Sequence, residues 1–177
     1  MESKNELRII AKAIRKELDI DIISEKILSS FLASDLFKKS KNVAVYYPFG
    51  NELKIQKIFE CTDKKFSLPK ISENNTMEFY LYKNRDDLIL NKYGIFEPND
   101  AAEICQNIDL IILPALMADK LGYRLGYGGG YYDRYLRNKN IKKVILIPDE
   151  LLTEELPIEK YDVKADAVIT QTKVILV

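Results

Sequence analysis

The sequence predicts an α/β fold: a single-domain layered sheet flanked by helices. Three observations predict it. Short continuous apolar runs, at 108–113 before Pro114 and at 144–147 before Pro148, read as strands covered on both faces. Stretches of helical periodicity alternate with such runs, the pattern of an α/β layered sheet. No linker, low-complexity tract or charge block divides residues 1–177, so they read as one domain.

Each element has its own justification. Over 3–18, Leu7, Ile10, Ala11, Ile14 and Leu18 fall within an arc of about 100° on a helical wheel. Ser3, with Glu6 three residues later, predicts a capping box. Lys4, Arg8 and Arg15 form a basic stripe beside the apolar arc, either a solvated face or an anion-binding one. A second helix is predicted over 22–39, burying Ile23, Ile27, Phe31 and Leu32. The run 43–47, stopped by Pro48 and Gly50, predicts a strand; Asn51 is expected to cap a third helix through Phe59. Strands follow at 66–71 and 77–82, joined by a turn at Ser72, Glu73, Asn74 and Asn75. The two apolar runs come next, with a short last strand at 167–169.

Composition removes several function classes. The 177 residues carry 27 basic and 27 acidic side chains, a formal net charge of zero. A protein whose main partner is a nucleic-acid backbone needs a basic excess. The longest nearly unbroken apolar stretch, 108–118, is interrupted by Asp109 and Pro114 and is too short to span a bilayer. There is no histidine, and Cys61 and Cys105 stand far apart. A His/Cys zinc site, a Ser-His-Asp triad and a Cys-His pair are therefore excluded. Any metal would be a hard ion on carboxylate oxygens, magnesium or a relative. The charged start MESKNELRII, where a signal peptide needs an apolar core, predicts a cytoplasmic protein with reduced thiols.

The chemistry concentrates between Asp109 and Leu136. Five of the seven glycines (Gly122, Gly126, Gly128, Gly129 and Gly130) follow the apolar strand, and a helix is expected from about Tyr131. Glycines let backbone N–H groups approach an anion, and a helix start favours phosphate. The loop matches neither a Walker A motif nor Gly-x-Gly-x-x-Gly. Arg124, Tyr131, Tyr132 and Asp133 bracket it, which a mobile turn does not explain.

The string RLGYGGGYYDRYL resembles the signature of the 5-formyltetrahydrofolate cyclo-ligase family. KNELR, YYPFGNEL, LPKI, MEFY, YGIFEP and KADAVIT follow the family's order along nearly the whole chain. The resemblance implies a fold like that of ribose-phosphate isomerases and CoA transferases. It also implies Mg²⁺-ATP-dependent cyclisation of 5-formyltetrahydrofolate to 5,10-methenyltetrahydrofolate, through phosphorylation of the formyl oxygen. Lys4, Arg8, Arg124, Leu125, Gly126, Tyr127, Gly128, Gly129, Gly130, Tyr131 and Tyr132 would bind ATP. Tyr47, Glu52 and the segment Tyr127 to Tyr131 would meet the folate. Asp133 and Asp166 would hold magnesium, and Arg124 and Asp133 would be catalytic. The expected partners are these small molecules, acting on a monomer, with no nucleic acid and no membrane.

Other readings stay open from the residues alone. Tyr46 and Tyr47 also suit a core or rim. The basic run Arg134, Arg137, Lys139, Lys142 and Lys143 suits a solvated helix end, or an attractor for a polyglutamate tail on the folate. A sugar-phosphate isomerase or CoA transferase-like enzyme needs no ATP, and a non-catalytic nucleotide- or RNA-binding module would stack bases on the aromatic–glycine string.

Overall fold

The computed structural model describes residues 2–72, 74 and 76–177; Glu73 and Asn75 of the expected turn lie outside the described residues. The chain opens with helix α1 (Lys4–Glu17), capped as the sequence implies. The Ser3 hydroxyl accepts from the Glu6 N–H, and the Glu6 carboxylate accepts from the Ser3 N–H at 2.7 Å. The expected second helix is two: α2 (Ile20–Ala33) and α3 (Asp35–Lys39). Ser34 makes the break, because its hydroxyl donates to the Phe31 carbonyl and accepts from the Phe37 N–H, ending one helix and capping the next.

Strand β1 (Asn42–Ala44) follows, shorter than expected. Asn51 does not cap a helix. Residues 51–55 stay irregular, with Leu53 and Ile55 buried, and only a 3₁₀ turn forms at Gln56–Glu60. Burying two apolar side chains at a spacing of two requires a more extended chain, which overrides the local signal. Strands β2 (Lys65–Ile71) and β3 (Met77–Tyr82) pair antiparallel. A hairpin of β4 (Leu88–Leu90) and β5 (Phe96–Pro98) is next. After β6 (Leu110–Leu113) come the short strands β7 (Met117–Asp119) and β8 (Arg124–Leu125), then α4 (Tyr131–Leu136). The chain continues through β9 (Lys142–Leu146), β10 (Leu152–Thr153), β11 (Ala167–Ile169) and β12 (Val174–Leu176).

Seven strands make the main sheet in the order β12-β11-β9-β6-β1-β2-β3. Its five central strands are parallel, and an antiparallel strand closes each edge. Side chains alternate strictly across it. Val43, Leu110, Ile112, Val144 and Leu146 face α2 and α3 with Ile27, Phe31 and Phe37. Ala44, Ile111, Leu113, Ile145 and Val168 face the opposite way, where Leu7 and Ala11 of α1 and Leu136 of α4 pack. Both faces are therefore covered, as continuous apolar strands require. Fully burying one such Leu, Ile or Phe stabilises the fold by roughly 1.5–3 kcal/mol. Among the described residues no helix is long and apolar enough to cross a membrane.

The strand order reverses between β1 and β6. Tyr46 and Tyr47 beyond the end of β1, and Pro114 and Leu116 beyond β6, open onto one cavity there. In open α/β sheets this switch point is where ligands bind.

Candidate active site

The cavity has a volume of about 940 Å³. One wall is α1, whose Lys4, Arg8, Lys12, Arg15 and Lys16 all line it. The glycine loop forms the floor of one end; the loop after β1 and the β4–β5 hairpin close the other.

The glycine-loop end is polar and internally braced. Arg8 Nε donates to the Gly126 carbonyl at 3.0 Å, and its Nη1 donates to Asn5 Oδ1 at 2.6 Å. Gly128 and Gly130 have φ of +106° and +63°, a region that glycine alone enters freely. Gly129 is different: its φ is ordinary, but an added Cβ would lie 2.5 Å from a ring carbon of Tyr131. Arg124 Nη2 meets Asp133 Oδ2 at 3.1 Å, with their side chains 5% and 23% exposed. Asp133 Oδ1 accepts from the Val163 N–H at 3.1 Å. Lys4 Nζ is paired with Asp162 at 2.6 Å and with Glu159 at 3.2 Å.

The other end is apolar and aromatic. Tyr47 meets Phe96 edge to face at 5.1 Å, and Phe49, Ile95 and Met77 join the wall. Two carboxylates stand among them: Glu97 on the hairpin, which accepts from Asn91 Nδ2 at 2.9 Å, and Glu52. Glu52 accepts from the Phe49 N–H at 2.9 Å and from the Tyr127 hydroxyl. Burial pushes its carboxyl above the usual carboxylate value, while those two hydrogen bonds and the Arg15 charge pull the other way. The Tyr127 and Tyr132 phenols are pushed up by burial and then by the Glu52 charge, so both remain neutral donors.

Most of the expected site residues meet in this one space. Lys4, Arg8, Tyr47, Glu52 and every residue from Arg124 to Asp133 line it. Asp166, expected beside Asp133 as a metal ligand, is the exception and does not line the cavity. It precedes β11, at the N-terminal end of the parallel strands, away from the cavity. Lys142 holds its carboxylate at 2.8 Å and Lys143 at 3.4 Å, and it also accepts from the Lys143 N–H. Asp162, four residues earlier in the same KYDVKAD stretch, does line the cavity, as do Asp133 and Glu159. The expected basic run is also spent locally. Arg134 lies over Tyr131, Arg137 over Tyr161 and Lys139 over Tyr135, and the two remaining lysines hold Asp166.

Known proteins share both the sequence and the fold. The model of the 5-formyltetrahydrofolate cyclo-ligase family matches residues 1–171. The 5-formyltetrahydrofolate cyclo-ligase of Escherichia coli (strain K12) is 35% identical over 144 residues, covering 75% of this chain and 79% of the relative. A probable 5-formyltetrahydrofolate cyclo-ligase of Schizosaccharomyces pombe is 30% identical over 197 residues, covering 97% of each. The NMR structure of Aquifex aeolicus 5,10-methenyltetrahydrofolate synthetase superposes with a TM-score of 0.87 at 32% identity, covering 98% of this chain and 92% of that one. A cavity at the switch point, a glycine loop braced by arginines and an aromatic end holding Glu52 thus occur in a chain that belongs to the 5-formyltetrahydrofolate cyclo-ligase family.

Proposed function

We propose that this chain, working as one domain over 1–177 and as a monomer in the cytoplasm, uses ATP to close 5-formyltetrahydrofolate into 5,10-methenyltetrahydrofolate. The observation that carries this is the cavity joining a braced, cationic glycine loop to an aromatic end that holds the Glu52 carboxylate. A monomer suffices because both ends come from the same chain.

ATP lies with its phosphates on the backbone from Leu125 to Tyr132, beside Arg8 and Lys4. The formyl oxygen attacks the γ-phosphorus and ADP leaves. The nitrogen at position ten then attacks the activated carbon and loses its proton to water, and the former formyl oxygen departs on phosphate. Positioning and charge neutralisation are most of what such a transfer asks, so a chain without histidine is equal to it. Arg124, held by Asp133, supplies positive charge to the transferring group. Tyr47 packs on the pterin, and Glu52 accepts its N–H donors.

Magnesium fits the residues here on different terms from those expected. Asp133 accepts from Val163, the residue after Asp162, so two cavity carboxylates stand on neighbouring parts of the chain. One or two carboxylates with substrate phosphates are what magnesium usually takes. Among the described residues no group of three or more acidic, cysteine or histidine side chains is arranged for a metal. Asp133 and Asp162 would hold the ion, which would neutralise phosphate oxygens when bound. Lys12 and Lys16, exposed on the cavity's α1 wall, suit the carboxylates of a glutamyl or polyglutamyl tail.

The test is direct. Protein, Mg²⁺-ATP and 5-formyltetrahydrofolate should give the methenyl chromophore with one ADP per product. Folded protein that yields neither overturns the proposal.

A further inference from the structure

Arg15 lines the same cavity as Lys4 and Arg8, yet its side chain is buried and spent on backbone carbonyls. It is 5% exposed. Its Nη2 donates to the Ala115 carbonyl at 2.9 Å and reaches that of Leu116 at 3.5 Å; its Nη1 donates to the Asn51 carbonyl at 3.3 Å. Its Nε is buried without a partner. Among the described residues no carboxylate lies within ion-pair distance of it, although Glu52 is near enough to feel its charge.

A guanidinium is always charged and costly to bury. A leucine at this buried position would carry no such cost. What only a planar fork with several donors can do is hold two loops at once. Asn51 immediately precedes Glu52, and Ala115 and Leu116 follow Pro114 at the end of β6. The fork therefore ties together the chain beyond β1 and the chain beyond β6, the two sides of the switch point.

We propose that Arg15 is a positioning residue for the folate: it fixes the loop that carries Glu52 against the β6 end, and does not bind ATP. This rests on the folate reading of the Glu52 end. The phosphate end has its own braces in Arg8 and the Arg124–Asp133 pair, so loss of Arg15 should leave it intact.

The experiment is steady-state kinetics of Arg15→Met and Arg15→Lys beside wild type, each substrate varied in turn. Met keeps the length and apolar stem; Lys keeps the charge but loses the fork. Both should raise the KM for 5-formyltetrahydrofolate by roughly tenfold or more, the worth of one hydrogen bond from a charged donor, with the KM for ATP within about twofold of wild type. In an Arg15→Lys background, adding Glu52→Gln should cost less than it does alone, because the carboxylate is already misplaced. Equal rises in both constants, or an unchanged folate KM in an active variant, overturn the proposal. If Met does not fold, Lys decides by the same criteria. If wild type itself forms no methenyl product in this assay, it is the reading of the reaction that fails.

Discussion

On the proposed function, the two ends of the cavity recognise by different means. At the phosphate end one contiguous loop offers backbone, and its cations are already paired before any ligand arrives: Lys4 with Asp162, Arg124 with Asp133, Arg8 with Gly126. Donors fixed in this way need little reorganisation when charge develops. At the proposed folate end the side chains come from separate segments, many of them apolar or aromatic, with Glu52 among the few directional groups. There, affinity comes from buried area, and selectivity depends on where a loop is held. An error in backbone geometry should therefore be ruinous at the first end, and an error in loop position costly at the second.

The largest expected effect tests the first half of that contrast. Gly129→Val puts a branched side chain where even a Cβ meets the Tyr131 ring. ATP binding, read by calorimetry, should weaken by at least about a hundredfold, the scale of loss from a displacement near 1 Å. Binding like wild type would remove the loop from the phosphate site. Asp133→Asn comes next. It keeps the shape but takes the countercharge from an Arg124 side chain only 5% exposed. Turnover should fall by about two decades, and added Mg²⁺ should recover part of that if the carboxylate also meets the metal. Turnover within about threefold of wild type, small beside the tenfold that 1.36 kcal/mol of barrier represents, would leave Asp133 as a helix-end charge only.

A crossed pair sharpens the comparison. Arg8→Ala should raise the KM for ATP, and Glu52→Gln that for the folate, each by about one to two decades and each leaving the other substrate nearly alone. Effects on both substrates from either change would mean that the ends are not independent.

The smallest effect is on stability and has a definite sign. Burial raises the Glu52 carboxyl above its ordinary 4.5, so the folded chain holds that proton more tightly than the unfolded chain does. Stability from this residue is full below 4.5 and declines as pH rises through the raised value. Glu52→Gln should thus melt somewhat higher than wild type at neutral pH, and the gap should close on acidification toward 4.5. A gap that widens in acid would contradict the burial argument.

What was legible in the sequence was what local chemistry decides. The Ser3–Glu6 box, the paired apolar strands and the glycine string need only neighbours a few residues away. Ser34 was legible in principle, since serine competes for backbone groups, but helical periodicity ran through it. Asn51 was misread because the burial of Leu53 and Ile55 is a tertiary demand. Asp162 and Asp166 look alike in KYDVKAD; only the folded chain puts Asp162 on the cavity and Asp166 against Lys142 and Lys143. Phe49, Ile95 and Phe96 lie in the strings YYPFGNEL and YGIFEP, but no local spacing marks them as cavity wall; the loop after β1 and the β4–β5 hairpin bring them there.

The Lys4–Asp162 contact spans 158 residues of chain. Strands β1, β2 and β6 can pair while the polypeptide is still growing, but this clasp waits until almost all of it has been made. Contacts of such long range form late and slowly. An emerging chain can therefore pair β1, β2 and β6 before the Lys4 end of its cavity is clasped. Once the clasp closes, ligand stabilises only the finished molecule, by RT ln(1 + [L]/Kd). The cell's ATP then acts on this protein twice, as a reactant and as a latch on completed folding.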